Sequence, residues 1–249
     1  MKPSAGKSLW LPLLALMFGL SATGGGSAAA PAPADQPISA DSLSRRVTES
    51  AVGISVPDQY APRGSGVILR RARKLFCELL TVHSVSQSAD LLLVTLQSGA
   101  IHEAVLEFGD EFEGVDVYNL DLLAESPECP DIVIVSQFPG NGDPIFSLQD
   151  SPGHAPAVVS GQFDGSRAAG ELEVGKHDRQ MLKIAGISTH ATERGTAVFN
   201  KRGELIGLRV RSNGESSSVL ESGQTLLSVL DQMDTLRRAT LRKSLTKPE

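Results

Sequence analysis

The chain has 249 residues, 41% hydrophobic and only 4% aromatic, with 24 Gly and 14 Pro. That suffices for one all-β domain with a proper core, or two small domains. Its 29 acids outnumber its 23 bases, and such a chain repels phosphates, so nucleic acid is not an expected partner.

Lys2 and Lys7 precede an apolar run, Leu9 to Leu20, which small residues ending at Ala30 follow. A basic start, a short apolar core and a small-residue exit describe a secretory signal peptide over residues 1–30. The run is too short to persist as a spanning helix, so the expected product is periplasmic or secreted, with no stable membrane span. Residues 31–44 read as a Pro- and Ala-containing linker, 45–235 as the folded domain and 236–249 as a basic tail. Cys77 and Cys129 remain after cleavage, and an even pair in an oxidising compartment predicts a disulfide. Between Lys74 and Arg167 there is no Lys or Arg, against 15 Asp and Glu. Two readings of that span stay open. It is a solvated face that keeps an exported protein soluble, or a surface for a basic partner or a divalent cation.

In chain order, Ser42–Val47 predicts one helical turn before a first strand, Val52–Val56. Arg63 to Leu69 reads as a tight bend at Gly64-Ser65-Gly66 feeding a strand. Leu75–Val85 is a strand and turn. Leu91–Leu96 and Ala100–Phe108 form a hairpin across Gln97-Ser98-Gly99, and Glu113–Leu123 has strand-like spacing. Asp143 to Asp164 reads as a strand, a turn at Ser151-Pro152-Gly153 and a second strand. Arg167–Arg179 is a polar loop, and Met181–Ile187 returns to strand character. Thr196–Phe199 and Leu205–Val210 flank Asn200-Lys201-Arg202-Gly203, a short polar loop ending in Gly and so a hairpin signal. Leu226, Leu230 and Met233 stand at helical spacing, with Val229 alongside.

The stretch ATERGTAVFNKRGELIGLRV, Ala191 to Val210, resembles a segment of trypsin-like serine peptidases of the HtrA type, G-N-S-G-G-P-L-V-N-x-x-G-x-V-I-G-I. Asn200, Gly203, Ile206 and Gly207 match, and the nucleophilic Ser falls on Arg194. LFCELLTVHSV is similar to the family's I-L-T-A-A-H-V-V. With Leu80-Thr81 and Val85 matched, the general base falls on Ser84, and His83 stands one place early. LLLVTLQSGAIHEAVLEF follows the family's V-x-L-x-D-G-x-x-x-x-A-x-V, and Asp116 takes the place of the Asp that orients the imidazole. The resemblance covers about Val47 to Met233. It implies an all-β fold of two six-stranded β-barrels joined near 126–143, with an ancestral active site in the cleft between them and a C-terminal helix.

Serine peptidase chemistry needs a hydroxyl, a base within reach, an orienting carboxylate and an oxyanion hole. Arg194 has no oxygen and stays protonated, and Ser84 has no useful basicity. The triad positions Ser84, Asp116 and Arg194 therefore keep one member. The leading expectation is a non-catalytic envelope domain that binds protein or peptide through Arg194, Gly195 and Thr196, without cofactor or metal. A second is an active endopeptidase in which His83 and Asp116 pair with Ser188 or another hydroxyl. A third is a structural or chaperone-like export factor.

Overall fold

The structure is a computed structural model that describes residues 38–57, 59–110, 114–149, 156–168, 180–187, 194–212 and 217–245. The first barrel is built from β1 (Ala51–Val56), β2 (Gln59–Leu69), β3 (Phe76–Val82), β4 (Leu91–Thr95), β5 (Ile101–Asp110) and β6 (Val115–Leu123). It closes in the order β1-β2-β3-β6-β5-β4. The second contains β7 (Pro144–Gln149), β8 (Ala157–Ala168), β9 (Gln180–Ala185), β10 (Ala197–Asn200), β11 (Leu205–Ser212) and β12 (Ser217–Ser222). It closes as β10-β11-β12-β9-β8-β7. Closure removes every exposed sheet edge, which is how an all-β chain avoids edge-to-edge pairing.

Alternation supplies the cores. In β4, Leu92 and Val94 are buried while Thr95 is exposed, the period-two pattern of a sheet with one wet face. Ile145, Phe163, Leu182, Ile184, Val198 and Leu220 form a small core of the second barrel. The larger core joins Leu79, Leu80 and Val117 of the first barrel with Phe199, Leu205 and Leu208 of the second. The barrels thus share a core and belong to one compact unit.

Among the described residues, three helices accompany them. α1 (Ala40–Ser50) is capped by the Ser39 hydroxyl, which accepts from Ser42 N at 3.2 Å. It buries Leu43 and Val47, one helical turn apart. Arg46 Nη1 donates to Gly203 O at 3.3 Å, docking α1 on the β10–β11 hairpin. This helix begins inside the range read as linker and is longer than the single turn expected. α2 is the short turn His83–Ser86. α3 (Gly223–Leu245) buries Leu226, Val229, Leu230 and Met233 and continues through much of the range read as tail.

Two turns follow the sequence closely. Gly99 (φ +84°) and Gly203 (φ +70°) take the left-handed conformations their hairpins demand. The Gly64-Ser65-Gly66 segment departs from expectation: it lies within β2 instead of bending before it. Close approach explains these glycines. A Cβ on Gly64 would stand 2.5 Å from Val85 Cγ2 and 2.8 Å from Arg194 O, and one on Gly66 2.6 Å from Leu79 Cδ1.

The segment between the barrels, residues 124–143, is pinned to both. Val135 N donates to Leu205 O and Leu205 N to Val133 O, at 3.1 and 2.8 Å. On the other side, Arg70 N donates to Pro130 O at 2.8 Å and Arg70 Nη2 to Cys129 O at 3.1 Å. The expected disulfide is present: Cys77 in β3 is bonded to Cys129, with Cα atoms 5.8 Å apart.

Candidate functional site

β3 ends at Val82 and the chain turns at once into α2. His83 N donates to Gly114 O at 2.8 Å, and Gln87 N closes the turn on His83 O at 2.7 Å. Gln87 and Ser88 then adopt left-handed φ values of +51° and +49°, uncommon for residues with a side chain. The Ser86 hydroxyl at the end of α2 and Ser88 in the turn that follows both reach Asp116.

Asp116 is fully buried, and a buried carboxylate must be met by donors. Ser86 Oγ donates to Oδ2. Ser88 N donates to Oδ2 at 3.0 Å, and Ser88 Oγ lies 3.2 Å from each oxygen. His83 Nδ1 lies 3.4 Å from Oδ1 and 3.3 Å from Oδ2, long for a hydrogen bond but facing the carboxylate. Gly109 completes the cradle, since a Cβ there would stand 2.5 Å from Ser88 Oγ. Next along the strand, Tyr118 Oη donates to Ala89 O at 3.0 Å. Burial pushes the Tyr118 phenol well above its usual range, the hydrogen bond with Ser86 acting the other way.

The residue beside Asp116 is His83, while Ser84 is exposed. This corrects the register that set Ser84 against the carboxylate. That register aligned Leu80-Thr81 and Val85 without a gap, and a one-residue slip at a strand end turns a side chain to the opposite face. The strand instead stops at Val82, and the first residue of the helical turn points where a strand residue would not. The His83 ring is half-exposed, with 30% of its side chain accessible. A proton on Nδ1, facing Asp116, leaves Nε2 as the accepting nitrogen of the neutral ring.

From the second barrel comes the turn at Arg194-Gly195. Gly195 has φ +83° and is buried. A Cβ there would overlap Ser65 O and stand 2.9 Å from Thr81 Oγ1. Its N–H donates to Arg209 O at 2.7 Å, and Arg209 N donates back to Thr196 O at 3.0 Å, extending the β10–β11 ladder. Across the barrel boundary, Ser65 N donates to Arg194 O at 2.7 Å, and within the first barrel Thr81 Oγ1 donates to Ser65 O at 2.8 Å. Gly64 meets both Arg194 O and Val85. Thr81 and Val85 bracket His83 in the chain, so the turn at residue 194 and α2 are packed on the same few atoms of β2.

Of the three residues expected to bind, Gly195 and Thr196 are buried, and Arg194 alone exposes its side chain. Ser188 lies outside the described residues. Among the described residues, the hydroxyl recorded beside the His83 ring is that of Ser88, 3.3 Å from Nδ1. It sits on the nitrogen that faces Asp116, which suits orientation of the ring and not attack on a substrate.

The barrels, their order and the C-terminal helix match solved structures. The serine endoprotease from Yersinia pestis aligns with a TM-score of 0.61 and 24% identity, over 80% of this chain and 68% of that one. An inactive mutant form of Rv3671c from M. tuberculosis aligns at 0.62 with 13% identity, over 87% and 98%. The fold is trypsin-like. In sequence, serine endoprotease DegS of Escherichia coli is 25% identical over 154 residues, 62% of this chain and 41% of that protein. DegS of Haemophilus influenzae is 27% identical over 188 residues, 72% of this chain and 50% of that protein. The chain therefore spans half or less of the length of these relatives. No protein-family model matches it.

Within this trypsin-like frame, sequence reading singled out Asp116 and Arg194 and did not anticipate Ser86, Ser88, Gly109 and Ser65 as their neighbours. A signal for the first two was present: a Ser-x-Ser pair just after a His, at the end of a strand, offers hydroxyls to a nearby buried carboxylate. It also missed a charge cluster that ties α3 to the first barrel. Glu78, fully buried in β3, meets Arg71 Nη1 at 3.1 Å and Lys74 Nζ at 2.8 Å. Asp234 of α3 pairs with Arg71, and Arg237 of α3 lies 3.0 Å from Glu107. Among the described residues no helix is long and apolar enough to cross a membrane.

Proposed function

We propose that this is a non-catalytic, trypsin-like protein of the cell envelope that binds a protein or peptide segment in the cleft between its barrels. The observation that carries the reading is Arg194. Its backbone is held against β2 by the Ser65 N–H at 2.7 Å while its side chain is exposed. A guanidinium there cannot attack a carbonyl, but it presents a planar fork of donors that suits a carboxylate, such as a peptide C-terminus. Export is supported by the Cys77–Cys129 bond, since structural disulfides persist in oxidising compartments, and by the N-terminal sequence pattern. The test is binding of a fluorescent peptide with a free C-terminal carboxylate against its amidated twin. Wild type is expected to prefer the carboxylate, and Arg194→Ala to lose roughly the 1.5–3 kcal/mol of a charged hydrogen bond. Equal affinity for both peptides would count against the reading.

The pairing of His83 with Asp116 favours a second reading, an endopeptidase whose hydroxyl comes from elsewhere. A base held by a carboxylate is two-thirds of such a machine. It predicts peptide turnover by the wild-type protein that His83→Ala abolishes.

A further inference from the structure

We propose that the outer face of the first barrel, on β3, β6 and β5 beside α3, docks a basic amphipathic segment of a partner protein. This surface is separate from the cleft. Phe76 and His83 stand at opposite ends of β3, about 20 Å apart at the rise of a strand.

Among the described residues, nine large apolar side chains are exposed, and five of them are here: Leu75, Phe76, Ile101, Val105 and Leu123. Phe76 and Leu123 are direct partners across β3 and β6. Val105 opposes Asn119, which in turn opposes Glu78. α3 meets the barrel beside that last row, through the pairs of Asp234 and Arg237 with Arg71, Lys74 and Glu107. Beyond Met233 the helix buries nothing through Thr240, and Leu236 is 58% exposed. The rest of the sheet face is left open, with apolar side chains at 41–67% exposure. A cluster of that kind on a soluble chain marks an interaction site.

The charges define the occupant. Arg71, Lys74 and Arg237 border the face and are already paired with Glu78, Glu107 and Asp234. Residues 75–166 contain no Lys or Arg. Glu103, between Ile101 and Val105, is exposed, as is Asp121, two places before Leu123. Asp121 keeps 60% of its side chain accessible while accepting from Glu103 N at 3.1 Å and facing His102 Nδ1 at 2.9 Å. Apolar and acidic groups therefore alternate along β5 and β6. The complement is a segment that alternates apolar and Lys or Arg side chains, and an anionic partner would be repelled.

The test uses the mature protein and three short fluorescent peptides with both ends blocked, alternating Lys-Leu, Lys-Ser and Glu-Leu. Fluorescence anisotropy should show the Lys-Leu peptide binding best, and more weakly as salt rises from about 0.05 to about 0.5 M. The double variant Ile101→Ser with Glu103→Lys should weaken it roughly tenfold or more. Arg194→Ala should leave it unchanged, which separates this face from the cleft. Asp41→Lys, on α1, makes a matching charge change elsewhere and should also leave it unchanged. Circular dichroism checks the fold, and Leu123→Ser on the neighbouring strand carries the same expectation should the double variant unfold. The proposal is overturned if Lys-Ser or Glu-Leu binds as tightly as Lys-Leu, or if the face variants bind like wild type. It is equally overturned if wild type self-associates and the face variants are monomeric, since the occupant would then be a second copy.

Discussion

Asp116 shows how a single buried charge organises its neighbours. Its oxygens take donors from Ser86 and Ser88, with the ring of His83 facing them, and the left-handed turn at Gln87-Ser88 brings Ser88 to the carboxylate. Tyr118 is packed against the same region, with its phenol pushed above its usual range by burial. The sign of the consequence follows from linkage. Below about pH 10 the phenol is protonated in both folded and unfolded chains and contributes no pH dependence. Above it, the unfolded chain loses the proton while the folded one keeps it, so stability falls as pH rises. Urea unfolding across pH 9 to 11 should show this loss. Tyr118→Phe should flatten it while costing about 1 kcal/mol at neutral pH for the bond to Ala89 O. The sequence made Asp116 legible because a carboxylate at the head of a strand fits a known pattern. It left His83 misassigned because the residue where strand gives way to turn has no periodicity to follow.

At the scale of elements, two devices hold α3 and the inter-barrel segment in place. The Cys77–Cys129 bond closes a loop with a sequence separation of 52. Its removal should cost about 4 kcal/mol by the loop-entropy relation, read as a lower urea midpoint on reduction. The second device is the charge cluster around Glu78. Removing both cations, Arg71→Ala with Lys74→Ala, leaves a fully buried carboxylate unpaired and should cost roughly 3–5 kcal/mol. Asp234→Ala, which removes a partly exposed partner, should cost far less. Strands with alternating apolar residues, such as β4 and β5, and the helical spacing of α3 were legible. β12 was not, because Ser217–Ser222 includes Glu221 and Ser222, polar residues that are nonetheless buried. The glycines of β2 were read as a bend because a sequence reports that a glycine is needed, not which neighbour demands it.

At the scale of the whole molecule, the two barrels meet where Ser65, Thr81 and Gly195 touch, and the residue presented there is Arg194. The order and spacing of segments made this architecture legible without any single strong motif, since each weak match constrained the next. The chemistry was less legible, because it turns on which side chain reaches Asp116. With His83 beside that carboxylate, the proposed assignment of residue 194 to the nucleophile position predicts that Arg194→Ser would add a hydroxyl to the pair. Labelling of that variant by a fluorophosphonate should rise above wild type and vanish when His83→Ala is added, because members of a triad act as a unit. The most direct measurement is fluorophosphonate labelling of the wild-type protein, with peptide hydrolysis assayed alongside. No labelling and no turnover is the expected result, with carboxylate-dependent peptide binding intact. Labelling and turnover by wild type, both lost on His83→Ala, would contradict it.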